Sequence, residues 1–153
     1  METFSTTALL DPWYVTGFVD GEGSFTYSRV GRNVVPFFSI KLTAEHVGIL
    51  ESIQEFFGGI GRIYHVLPRA APTPRSGFTK AARFYRVGRS SELRRVVEHF
   101  DQFPLHGTKA TSYAIWREMV ILKRDFRKAP MELLAGLADQ LSAASPRNKT
   151  SAP

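Results

Sequence analysis

Two pairs of short alternating segments, separated by one helical stretch, dominate the sequence. Ser24 to Val30 alternates and is rich in aromatics and hydroxyls. Phe37, Phe38, Ile40 and Leu42 mark a second strand, with Gly31-Arg32-Asn33 as the turn between them. Ile60 to Leu67 and Lys80 to Val87 form the second pair, joined by Pro68 to Gly77 with its three prolines. Between the pairs, Val47, Leu50, Ile53, Phe56 and Phe57 recur at helical spacing, from a start at Thr43 or Glu45 to a stop at Gly58-Gly59. A hairpin, a helix and a second hairpin favour one antiparallel sheet with helices on a single face.

The flanks complete the order. Asp11-Pro12 reads as N-cap and first helical position, and Trp13, Tyr14, Val15, Phe18 and Val19 continue a helix that Gly21 and Gly23 stop. After the second hairpin, Ser90 or Ser91 caps a helix carrying Leu93, Val96, Val97 and Phe100, which Pro104 breaks. Lys109 to Phe126 is a long amphipathic helix, and Met131 to Leu141 a last one. The expected fold class is α+β: an αββαββα core with a four-stranded antiparallel, saddle-like sheet, helices on one face and extra C-terminal helices. Residues 1–10 read as an arm, 11–144 as one domain and 145–153 as a disordered tail.

The chain has 153 residues, which suits one domain. Zero Cys excludes disulfides, Cys-ligated zinc and thiol catalysis. No apolar run approaches the roughly 18 residues that span a bilayer, and the first residues lack a secretory pattern. An intracellular, non-membrane protein is the expectation. Lys plus Arg number 20 against 14 Asp plus Glu, a net charge of +6. A compact basic domain attracts polyanions, and where the charges sit decides which.

Strand side chains alternate between faces. Ile40, Leu42, Ile63, Tyr85 and Val87 share one parity and suit the core. Thr26, Ser28, Ser39, Lys41, Arg62, Tyr64 and Arg86 fall on the other, and would form one exposed basic, hydroxylic and aromatic surface. A twisted ribbon of such residues can enter a DNA major groove; a solvated polar face is the alternative.

Chemistry concentrates in Trp13-Tyr14-Val15-Thr16-Gly17-Phe18-Val19-Asp20-Gly21-Glu22-Gly23-Ser24-Phe25. Gly17 and Gly21 stand four apart on one helical face, where small residues let two helix backbones approach closely. A second copy of the same helix across a two-fold axis would cover that face, with Phe18 and Trp13 in the interface. Each helix would then carry a carboxylate to the axis. Like charges there call for a cation, and Mg²⁺, or Mn²⁺, suits one or two carboxylates with phosphate and water. Glu22 is expected just past the helix end, toward the open sheet face, with Asp20 capping or bracing the helix. A hydrophilic turn remains the plain alternative for Asp-Gly-Glu-Gly. His46, His65, His99 and His106 show no metal-ligand spacing.

Val15 to Gly23, followed by Ser24-Phe25, resembles the signature of LAGLIDADG homing endonucleases. Phe38-Ser39-Ile40-Lys41-Leu42, Ile49-Leu50-Glu51-Ser52-Ile53, Gly59-Ile60-Gly61 and Phe103 to Lys109 resemble later segments of that family. The resemblance covers roughly residues 11 to 126. It implies metal-dependent cleavage of double-stranded DNA at a long site. With one motif copy, it implies a homodimer on a near-palindromic sequence, without an organic cofactor. It also implies roles: Glu22, where the family commonly has Asp, as the metal-binding carboxylate, the Gly21 carbonyl as a supplementary metal contact, and Lys109 near the scissile phosphate. Ca²⁺ would bind without supporting cleavage. The family often has a polar residue at the end of the second strand to hold water; Thr43 and Ala44 stand there, and Ala44 cannot serve. Arg32 would join the DNA-contacting set, and Arg69, Arg75 and Lys80 would order on the DNA backbone. Some members of the family instead assist intron splicing as RNA maturases, and that function is the alternative.

Overall fold

The computed structural model describes residues 9–68, 80–126 and 130–145. The first eight residues, Arg69, Arg75, most of the proline-rich loop and the tail from 146 onward lie outside them.

Helix α1 (Pro12–Glu22) begins as its sequence dictates. Asp11 Oδ1 accepts from the backbone N–H of Trp13 at 2.8 Å and of Tyr14 at 3.3 Å, satisfying donors that a helix start leaves orphaned. Its end differs from expectation: the helix runs through Glu22, so this carboxylate stands on the last turn rather than beyond it. The reason lies in which glycine the backbone needs. A Cβ at Gly21 would meet nothing within 4 Å, whereas one at Gly23 would lie 2.5 Å from Val19 Cγ1. Gly23 lets the chain turn tightly against α1 and enter the sheet at once.

Strands β1 (Gly23–Val30), β2 (Asn33–Thr43), β3 (Arg62–Val66) and β4 (Ala82–Val87) form one antiparallel sheet in the order β1-β2-β4-β3. The two hairpins thus meet through β2 and β4. β3 and β4 are shorter than their apolar runs suggest, and Lys80 precedes the strand. A 3-10 turn (Ala44–His46) delays helix α2 to Val47–Phe56. Helix α3 (Ser90–Gln102) has Arg89 at its N-cap, and neither Ser90 nor Ser91 supplies a cap. Helix α4 (Lys109–Asp125) matches its expected span closely. Helix α5 (Met131–Ala144) continues three residues past Leu141, where the Ser142 hydroxyl meets the Tyr27 hydroxyl at 2.7 Å.

One sheet face and the helices share a single core. Phe25, Phe38, Ile40, Tyr85 and Val87 from the sheet pack with Val15 and Val19 of α1, Leu50 and Ile53 of α2, Val96 and Phe100 of α3, and Trp116 and Met119 of α4. Trp116 Nε1 donates to the carbonyls of Thr26 at 3.1 Å and Phe37 at 3.0 Å, pinning α4 to the β1–β2 hairpin. The Asp101 carboxylate takes a two-pronged bond from Arg117 and accepts from the Tyr113 hydroxyl at 2.7 Å, so α3 and α4 are stapled. Burial and the Asp101 carboxylate both push the Tyr113 phenol above its ordinary value. These contacts fix where the first two turns of α4 point.

Candidate active site and nucleic-acid interface

At the C-terminal tip of α1, Asp20 engages the connection between α3 and α4. Its carboxylate accepts from the backbone N–H of His106 at 3.1 Å and of Gly107 at 3.1 Å, bracing the α3–α4 connection against α1. A Cβ at Gly107 would lie 2.8 Å from Asp20 Oδ1, so a side chain there would push the carboxylate aside. Lys109 opens α4 and reaches back: its Nζ donates to the carbonyls of Val19 at 3.2 Å and Asp20 at 3.0 Å. An ammonium at a helix C-terminus offsets the negative end of the helix dipole.

Glu22 and Lys109 line one cavity of about 330 Å³ together with Asp20, Gly21, Gly23, Ser24, Phe25, Thr108, Ser112 and Ser145. Two stretches far apart in sequence, the α1 tip and the start of α4, therefore meet at one place. Glu22 is exposed there and, among the described residues, no ion pair engages it. No group of three or more His, Asp or Glu side chains that could hold a metal occurs among the described residues. Two carboxylates line the cavity; Asp20 is engaged by the His106 and Gly107 N–H groups, which leaves the Glu22 carboxylate beside backbone carbonyls as the donor set. That set suits a hard cation completed by water and phosphate oxygens, and does not suit zinc in a closed protein cage.

The sheet register assembles the open face. Ser24 pairs with Ser39, Ser39 with Arg86, and Arg86 with Arg62, giving one polar row across all four strands. The adjoining row joins Lys41, Phe84 and Tyr64. Thr26 and Ser28 continue the same side of β1 opposite Phe37 and Val35. Lys41, Arg62 and Tyr64 are exposed, Thr26, Ser28 and Arg86 are half-buried, and Ser39 is only 5% exposed. Ser39 thus shares the face without the exposure expected of it. Arg32 stands exposed in the β1–β2 turn, away from the rows, and Lys80 is exposed ahead of β4.

Three features escape sequence patterning. The Arg86 guanidinium lies 3.8 Å from the Phe37 ring centroid, a cation–π stack that holds its plane. Arg89 lines a further cavity with Arg62, Tyr64 and Arg86, although it lies past the end of β4 where strand parity no longer applies. Ser24 lines the Glu22 cavity and also stands in the polar row; its parity with Thr26 and Ser28 was the available signal.

On α1 the Gly17 and Gly21 positions open outward, for a Cβ at either meets nothing within 4 Å. Trp13 is 52% and Tyr14 49% exposed on the same helix, while Phe18 is half-buried and stacks on Tyr14 at 6.2 Å. No described helix is long and apolar enough to cross a membrane.

A family model described as LAGLIDADG endonuclease matches residues 15–120. An uncharacterized 50.9 kDa protein in ND4 intron 1 of Podospora anserina is 32% identical over 122 residues, covering 74% of this chain and 24% of its own length. Probable intron-encoded endonuclease 2 of Neurospora crassa is 28% identical over 131 residues, 80% of this chain and 26% of its own. The chain spans about a quarter of the length of the curated relatives it matches. The crystal structure of a homing endonuclease, I-TnaI, superposes with a TM-score of 0.73 at 24% identity over 94% of both chains. The I-SmaMI homing endonuclease bound to cleaved DNA gives 0.69 at 27% identity, over 90% of this chain and 48% of that one.

Proposed function

Because this chain belongs to the LAGLIDADG endonuclease family, we propose that it hydrolyses phosphodiester bonds at a specific site in double-stranded DNA, with a divalent metal, as a two-fold dimer on a near-palindromic sequence. The observation that carries this reading is the place of Ser24. It stands in the polar row of the sheet and in the lining of the Glu22–Lys109 cavity, so a duplex lying along that row carries a phosphate over the cavity.

Each residue has a stated task. Arg62, Tyr64, Arg86 and Lys41 meet base edges or phosphate oxygens, with the stacked Arg86 presenting a fixed fork suited to guanine. Glu22 would hold Mg²⁺ or Mn²⁺ beside the Gly21 carbonyl, and Ca²⁺ would take the same oxygens without supporting cleavage. When bound, such a cation polarises the phosphoryl group and lowers the pKa of water. Lys109 adds fixed positive charge where the pentavalent phosphorus gathers negative charge. Water forms the new P–O bond, the bond to the leaving oxygen breaks, the water proton passes to solvent and the leaving oxygen takes one up.

The second copy follows from α1. Its glycine face and exposed aromatics suit close packing against another α1, which sets the two Glu22 carboxylates side by side around cations. I-SmaMI, of which this chain covers 48%, leaves room for a second such unit within one chain; a size measurement on this protein distinguishes the two arrangements.

The test is a cleavage screen against a randomised duplex library with and without Mg²⁺. The expected result is Mg²⁺-dependent cutting of a defined sequence, lost in Glu22→Gln while binding in Ca²⁺ persists. Cutting that survives Glu22→Gln refutes the assignment. RNA maturation is the second reading, favoured by the intron-encoded names of the relatives. It predicts splicing assistance that Glu22→Gln leaves intact.

A further inference from the structure

Ser112 is 4% exposed, and its Oγ is the buried side-chain polar atom that has no hydrogen-bond partner among the described residues. A helical serine commonly settles its hydroxyl on the carbonyl four residues back; Ser112 does not. It lines the cavity that holds Glu22, Ser24 and Lys109. It also follows Lys109 by three residues on α4, so the two side chains stand one above the other on the same helical face. A buried hydroxyl left unpaired is costly, and a polar cavity of this size admits water that would pair it.

We propose that Ser112 is a positioning residue for hydrolysis: its Oγ anchors an ordered water in the Glu22–Lys109 cavity and orients the nucleophile toward the phosphate. The inference rests on the nuclease reading and adds a residue to it. Ser112 accepts a proton of the bound water in a hydrogen bond, which leaves a water lone pair directed to the cavity mouth. The water oxygen forms the bond to phosphorus, the bond to the leaving oxygen breaks, and the proton given up travels through the cavity to solvent. Ser112 itself neither gains nor loses a proton, and it touches the phosphate only through water.

The experiment compares wild type with Ser112→Ala and Ser112→Thr by three measurements: thermal midpoint without metal, affinity for the selected duplex in Ca²⁺, and single-turnover cleavage in Mg²⁺. Ser112→Ala removes a hydroxyl that no described protein group pairs, so its midpoint is expected to hold or rise, and its affinity to match wild type. Its cleavage rate is expected to fall about tenfold or more, and Ser112→Thr to recover most of that loss. A metal-free crystal structure should show water at hydrogen-bond distance, about 2.7–2.8 Å, from Ser112 Oγ. Cleavage by Ser112→Ala within about twofold of wild type overturns the proposal, as does a lowered midpoint, which would make the hydroxyl structural. If wild type cuts no duplex, the nuclease reading itself falls and takes this inference with it. If wild type cuts and Ser112→Ala cuts equally, Ser112 alone is refuted.

Discussion

His99 is 2% exposed, with its ring against Phe56, Phe57, Phe100 and Phe103. The Thr16 hydroxyl donates to the Phe103 carbonyl at 2.8 Å, so it accepts from His99 Nε2–H at 3.0 Å, which fixes the neutral tautomer. Burial, helped by Arg95, lowers its pKa to about 4. The unfolded imidazole takes up a proton below its ordinary value near 6.5 while the folded one does not. This contribution to stability is therefore complete above that pH and is lost as pH falls toward 4. The loss is about 3 kcal/mol, measurable as a falling urea midpoint; His99→Gln should lack that limb of the curve. A second expectation at this scale concerns Gly23. Gly23→Ala places a methyl 2.5 Å from Val19 Cγ1 and should cost about 1–3 kcal/mol in chemical denaturation. Single residues were unevenly legible beforehand. Glu22 and Lys109 stand in motifs, because charged groups beside glycines or after Pro-Leu are conspicuous. Ser112 is one hydroxyl in a helix, and only the folded chain reveals that it is buried without a partner.

At the scale of elements, side-chain period served well where an element has one wet and one dry face. The parity of β2, β3 and β4 anticipated that Ser39, Arg86 and Arg62 share one face, and the register that pairs Ser39 with Arg86 and Arg86 with Arg62 came from the fold. Boundaries were less legible. Val47 rather than Thr43 begins α2 because a 3-10 turn intervenes, and Glu22 remains helical because Gly21 tolerates the helix. The burial of Ser39 was invisible to parity, which describes a strand and not what packs over it. The Phe37–Arg86 stack supports a prediction about the sheet as a reading surface. Arg86→Lys keeps the charge but loses the planar fork. Selectivity at one base pair should relax by about 1–3 kcal/mol in a site-variant binding panel, while the salt dependence of affinity stays the same. A uniform loss across all variants would instead mark Arg86 as a phosphate contact.

For the molecule as a whole, the issue is assembly. A Cβ at Gly17 meets nothing within 4 Å among the described residues, so Gly17→Leu is expected to leave the protomer folded. If α1 is the interface, that variant keeps its thermal midpoint at low concentration, sediments as a monomer where wild type sediments as a dimer, and cuts no duplex. A net charge of +6 adds that affinity for any duplex falls steeply with added salt. The architecture is where sequence reading reached furthest, since four strands and their helices follow from patterning alone. The lacing of the α1 tip to the α3–α4 connection lay beyond it, because it joins Asp20 to backbone donors 86 and 87 positions away. That lacing has a consequence for fidelity. In the proposed dimer, the helix that would meet the partner is the same helix whose last carbonyls hold the Lys109 ammonium. Misalignment in such a dimer would be passed through α1 to Glu22 and Lys109 without a compliant joint to absorb it. A wrongly spaced half-site should therefore silence the scissors even while it is still gripped.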